Sequence, residues 1–190
     1  MKSKRNVLSY LIILLTGLIY FAVQAQEKND THRANFSGEW KSKESISMGG
    51  NIVCSFDSGD RMLANFMKIS QQENALNIEI SSSFPGTAPV VGKETLTFDG
   101  KESQINHGTE RGKKFTVKWS ADGQTMTVNS IVHLMIATPY KVNSREQMLV
   151  YLTEVWKLSN EGKSISVQTK AKSKLYESAR SWTTVFDKAN

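Results

Sequence analysis

From Phe36 onward, apolar and polar residues alternate along most of the chain, and short polar connectors separate the alternating runs. Leu76, Ile78 and Ile80 alternate with Asn77, Glu79 and Ser81, and Phe115, Val117 and Trp119 alternate with Thr116, Lys118 and Ser120. A period of two places one set of side chains on each face, so these runs read as antiparallel strands with one face buried and one wet. The same pattern predicts strands near 36–42, 62–70, 75–83, 92–98, 102–107, 113–120, 124–135, 147–158, 163–170 and 178–187. The connectors are Gln71–Asn74, Asp99-Gly100, Asp122-Gly123 and Asn160-Glu161-Gly162. Asp-Gly supplies the positive backbone dihedrals of tight turns, which predicts hairpins.

Two segments break the rhythm: Lys43 to Asp60, rich in Ser and Gly, and Ala137 to Arg145, which contains Thr138-Pro139-Tyr140. Both read as long loops, often the place where function sits. No segment sustains a helical period beyond a short helix. A meander of about ten strands must curl on itself or leave edges exposed, and closure removes the edges. The expected fold is therefore all-β, a single antiparallel up-and-down meander barrel of about eight to ten strands, whose interior suits side chains or one small ligand. A two-sheet β-sandwich satisfies the same alternation, but it usually needs longer crossings than these connectors provide.

The chain opens differently. Lys2, Lys4 and Arg5 precede an apolar run from Val7 to Val23, which ends in Val23-Gln24-Ala25. A basic start, an apolar stretch and small residues at its end are the layout of a signal peptide over 1–25, with a retained membrane anchor as the competing reading. The expectation is a leader over 26–34, a domain over 35–190, export to the periplasm or medium, and no membrane span once the signal is cleaved. No cysteine follows the small residues, which does not fit a lipid-anchored protein. The whole chain carries a net charge of +6, but three of its 24 basic residues and none of its 18 acidic ones lie in that first stretch, leaving +3. Lys170, Lys172 and Lys174 share one strand face, and their plain reading is a solvated face or an edge strand guarded by lysine. No concentrated basic surface of the kind that neutralises phosphates is evident, so nucleic acid is not an expected partner. Cys54 is the only cysteine, which excludes an internal disulfide; its neighbours Ile52, Val53 and Phe56 point to burial.

Asn35-Phe36-Ser37-Gly38-Glu39-Trp40-Lys41 resembles the Gly-x-Trp first-strand signature of lipocalins and their calycin relatives. Thr153-Glu154-Val155-Trp156-Lys157-Leu158-Ser159 and a last strand ending Val185-Phe186-Asp187-Lys188 are similar in layout to lipocalin-like exported proteins of bacteria. The resemblance implies a barrel whose tryptophan, Trp40, sits at the closed end beside Gly38, with an arginine of the last strand lying across it. Arg180 is the candidate, through a cation–π contact. The resemblance implies a fold and names no ligand.

Glu154 shares strand parity with Val150, Leu152, Trp156 and Leu158 and should face inward, which is costly for a carboxylate unless it is paired or protonated. Arg180 has the parity of Trp182, Thr184 and Phe186 and is the expected partner. Such a pair fixes strand register, anchors a ligand head group, or poises an acid with a raised pKa. Trp40, Trp119, Trp156 and Trp182 all take the inward parity, suited to core filling or to a pocket lining. His32, His107 and His133 show no ligand spacing, so no metal is expected. The nucleophile elbow, phosphate loop, dinucleotide fingerprint and zinc-type cysteine pair are absent from the sequence, and neither a cofactor nor a catalytic residue is assigned. The leading expectation is a binding protein for an apolar or amphipathic small molecule, held through Trp119, Glu154, Trp156, Arg180 and Trp182. A packed envelope interaction domain and a small hydrolase or isomerase using a buried acid are the alternatives.

Overall fold

The computed structural model describes residues 33–44, 55, 57, 59–83, 86–107, 111–137, 145–174 and 178–189. The alternating runs form ten strands: β1 (Gly38–Ser42), β2 (Phe66–Gln71), β3 (Ala75–Ser82), β4 (Val90–Thr97), β5 (Ser103–His107), β6 (Arg111–Trp119), β7 (Thr125–Ala137), β8 (Arg145–Leu158), β9 (Ser164–Ser173) and β10 (Arg180–Lys188). All pair antiparallel in one sheet of order β4-β3-β2-β1-β10-β9-β8-β7-β6-β5. The first and last strands, β1 and β10, pair with each other, and Trp40 stands opposite Lys188. The result is a near-barrel of the up-and-down kind, compatible with a lipocalin-like fold. Its strands, closed end and core all lie within residues 33–189.

Closure is incomplete at one place. β4 and β5 are consecutive in the chain yet form the two free edges of the sheet, so Asp99-Gly100 is not the turn of a paired hairpin as its sequence suggests. Gly100 does take a positive φ of 71°, and Gly123 and Gly162 do likewise at 70° and 64° in the true hairpins. Side chains span the gap instead: Thr97 Oγ1 and Ser103 Oγ lie 2.9 Å apart.

One end of the barrel carries the β2–β3, β4–β5, β6–β7 and β8–β9 connections, and the chain before β1 runs across it. Ala34 N–H donates to Gly123 O at 2.9 Å. The Gln71 side chain clamps the same segment, accepting from Phe36 N–H and donating to Ala34 O. Phe36, fully buried, stacks on Trp119 with centroids 5.8 Å apart and meets Trp156 edge-on at 6.1 Å. Arg33 lies over Phe98 and Trp119 from outside. Arg33 and Ala34, read from sequence as leader, therefore belong to the barrel, and Phe36 precedes β1 as a plug.

Trp40 is buried at this end, its Nε1–H donating to Phe36 O at 2.9 Å. The cation above its ring is Lys188, with Nζ 5.7 Å from the centroid. Arg180 does not meet Trp40: it pairs with Ala171 at the far end of β10, eight residues from Lys188. Gly38 has φ 143°, a backbone conformation that residues with a Cβ rarely adopt, which is why glycine serves two residues before this tryptophan.

Candidate functional site

The β1–β2 connection turns into the barrel from the opposite end, and its last part is a 3-10 turn over Arg61–Leu63. Asp60 caps that turn by accepting from Met62 N–H at 2.9 Å. Gly59 and Gly92 make the entry possible. A Cβ on Gly92 would fall 2.1 Å from Gly59 O, so only a strand without a side chain at that position admits the incoming backbone. Asp60, Arg61, Met62 and Leu63 are all buried as a consequence.

Inside, five charged side chains form one network. The Arg61 guanidinium donates through Nη1 to Glu94 Oε2 and through Nη2 to Glu154 Oε2. Its backbone N–H donates to Glu94 Oε1 at 3.1 Å. Lys113 Nζ donates to both Asp60 oxygens at 2.7 and 2.6 Å and reaches Glu94 Oε1 at 3.4 Å. Glu94 lies on β4 and Lys113 on β6, so this last contact ties the barrel across the gap where backbone pairing is missing. Glu154 faces inward as its parity requires, but its partner is Arg61; Arg180 is exposed.

Burial is costly for ionised groups, and the network answers it unevenly. Burial alone would raise the Glu94 carboxyl, but Arg61 and Lys113 outweigh it and hold the group down to about 2. For Asp60 burial wins, with Glu94 adding to it against Lys113 and Arg61, and its pKa is raised. Arg61 is kept charged by Glu154, Glu94 and Asp60 despite its burial. Three carboxylates face two cations, so a proton or an outside hydrogen-bond donor is needed for balance.

A Glu94 pKa held at about 2 has a consequence for stability against pH. The unfolded chain takes up the proton first as pH falls, so this contribution is complete above the ordinary glutamate range and lost as pH drops toward 2. We expect wild type to lose about 3 kcal/mol more than Glu94→Gln between about pH 5 and pH 2, read from urea unfolding. The raised Asp60 carboxyl works in the other direction, since its folded form holds the proton as pH rises past the ordinary aspartate value. Equal acid slopes in the two proteins would contradict the assignment of Glu94.

Among the described residues, five buried polar atoms have no hydrogen-bond partner: Glu154 Oε1, Arg61 Nε, Ser130 Oγ, Trp156 Nε1 and Trp119 Nε1. Strand register places Ser130 and Trp156 within two residues of Glu154. Trp156 follows Glu154 by two on β8, and Ser130 on β7 stands opposite Leu152, diagonal to Glu154, which itself faces Val128. An orphaned buried polar group costs roughly 1–3 kcal/mol, and native proteins leave few of them.

No protein-family model, curated protein or solved structure matches this chain. The site therefore rests on its own geometry. Of the residues singled out from sequence, the structure brings Glu154, Trp156, Trp119 and Trp182 to the interior. Trp182 is half-buried in the row Val128, Glu154, Thr169, Trp182. Gly38 and Trp40 shape the closed end, while Arg180 is exposed at the start of β10, in the register row Ser130, Leu152, Ala171, Arg180. Asp60, Arg61, Glu94 and Lys113 were not foreseen. Among the described residues, no three His, Cys, Asp or Glu side chains gather as metal ligands would. His133 is bonded instead to Gln147 Nε2 at 3.2 Å. Cys54 and His32 lie outside the described residues, as does the apolar run 7–23 on which the expectation of export rests. No described helix is long and apolar enough to cross a membrane.

Proposed function

We propose that this is an exported, lipocalin-like binding protein that holds one small amphipathic molecule inside the barrel. The observation that carries the reading is the set of unpartnered polar atoms around Glu154, enclosed by apolar side chains. A head group that donates a hydrogen bond to Glu154 Oε1 and accepts from Trp156 Nε1 would satisfy two of them at once. Its apolar part would lie against Leu152, Val128 and Phe115, which are buried on the same inward face. Arg61 and Ser130 complete the polar side. Arg61 holds Glu154 by one oxygen only, leaving the other free for the guest.

A hydrogen bond to a charged group contributes about 1.5–3 kcal/mol. Glu154→Gln should therefore weaken binding of the co-purifying molecule about tenfold to a hundredfold by isothermal titration. Thr153→Ser, on the outward parity of the same strand, should leave affinity unchanged. Equal affinity in wild type and Glu154→Gln would remove Glu154 from the site.

A second reading has its own observation. The Glu94–Lys113 contact joins β4 to β6, so the charge network also serves to close the barrel. A packed interaction domain would need the network for that purpose alone, with ordered water at the orphaned atoms.

A further inference from the structure

The outward face of β8 and β9 carries a feature that the interior site does not use. Lys170, Lys172 and Lys174 are all exposed; β9 is paired on both sides at Lys170, so that lysine does not guard an edge, while Lys172 is paired to β8 and Lys174 follows the strand. Across the ladder, Lys170 stands opposite Thr153 and Lys172 opposite Tyr151. Tyr151 is 51% exposed and Leu149, two residues before it on the same face, 36%. They are two of the three large apolar side chains left exposed among the described residues. Ile131 pairs with Tyr151 and Lys114 with Ile131, extending the same row. Beside Tyr151 the face is recessed by about 320 Å³, between Lys114, Asn129 and Thr153. Among the described residues, the register partners of Lys170 and Lys172 on β8 and β10 are Thr153, Tyr151 and Ser181, none of them a carboxylate. Glu102, which also lines that recess, is held by Lys114 at 3.1 Å.

We infer that this face docks on an anionic phospholipid bilayer, with the lysines on the headgroup phosphates and Tyr151 and Leu149 entering the interface. Charge complementarity fixes the sign of the partner. The adjoining exposed aromatic and leucine favour a lipid surface over a purely polar polyanion, because interfacial binding combines buried apolar area with electrostatic attraction, and tyrosine is at home at the headgroup level. The stripe runs along β9 toward the end opposite the Phe36 plug. The inference is independent of whether the interior holds a guest.

The test is vesicle flotation of residues 26–190, which contain every described strand and the described core and omit the apolar run at the start of the chain. Vesicles of phosphatidylcholine with phosphatidylglycerol should bind the protein, those of phosphatidylcholine alone should not, and added salt should release it. Each lysine near such a surface contributes about a fivefold gain, so Lys170→Gln, Lys172→Gln and Lys174→Gln together should weaken binding about a hundredfold. Tyr151→Ser should weaken it about tenfold. Near-UV circular dichroism and thermal melts verify that both variants keep the fold, as outward positions should. Three results would overturn the inference: no binding to the anionic vesicles, equal binding to both vesicle types, or binding that poly-glutamate displaces and Tyr151→Ser leaves unchanged. The last would reassign the face to an acidic macromolecule.

Discussion

Arg61→Met is expected to destabilise the protein by about 3–5 kcal/mol, the cost of leaving buried charge without its partner. Arg61 is fully buried and serves Glu94 and Glu154 together, so its loss strands Glu154 completely and leaves Glu94 to Lys113. The partner charge, more than the lost packing, sets the size of the effect, because methionine fills much of the space of the arginine stem. A second change separates the two contributions. Arg61→Met combined with Glu154→Met removes the stranded carboxylate and should recover most of the loss, as replacing a buried ion pair by apolar residues often does. Urea unfolding of wild type, both single variants and the double variant reads the cycle. If the double variant is as unstable as Arg61→Met alone, the cost lies in packing of the 3-10 turn and the electrostatic account fails.

Phe36→Ala should cost about 3–5 kcal/mol, the range for truncating a buried aromatic. The Phe36 ring touches Trp119 and Trp156, so one side chain fixes two tryptophans at the closed end, while its backbone carbonyl, which the substitution keeps, accepts from Trp40 Nε1–H. Loss of the ring opens a void that the rigid hairpin turns around it cannot collapse to fill. The near-UV circular dichroism of the tryptophans should fall with the stability. Phe36→Leu, which keeps most of the volume, should lose much less. Unchanged stability in Phe36→Ala would mean that the segment before β1 does not seal the barrel.

The strands were legible because alternation depends on local residues alone, and Glu154 was legible for the same reason. Lys113 and Glu94 were within reach of that argument. Lys113 has the parity of Phe115 and Val117, and Glu94 that of Leu96, so extending the alternation by one step at each strand end places two charges inside. Arg61 gave no such signal. It lies in a segment without period, and its entry into the barrel depends on Gly59 approaching Gly92, a contact between residues 33 apart that no local pattern encodes. Arg180 shows the converse limit: parity fixes the face of a strand and says nothing of depth, and this residue, where β10 begins, is exposed although its register neighbours Ala171 and Leu152 are buried. The cation over Trp40 was expected from the last strand and does come from it. Its identity as Lys188 followed only from the register of β1 against β10. The break between β4 and β5 was hidden too, since Asp-Gly predicts a turn and not the pairing of the strands it joins.

If the orphaned polar atoms around Glu154 mark a guest, native mass spectrometry of the protein purified from its own cells will show it bound. A discrete added mass is expected, which organic extraction releases as an amphipathic molecule with a hydrogen-bond-donating head group and which Glu154→Gln retains poorly. A clean mass of the chain alone, unchanged after incubation with lipids of the same cells, would contradict it and leave the charge network as the closure of a packed barrel.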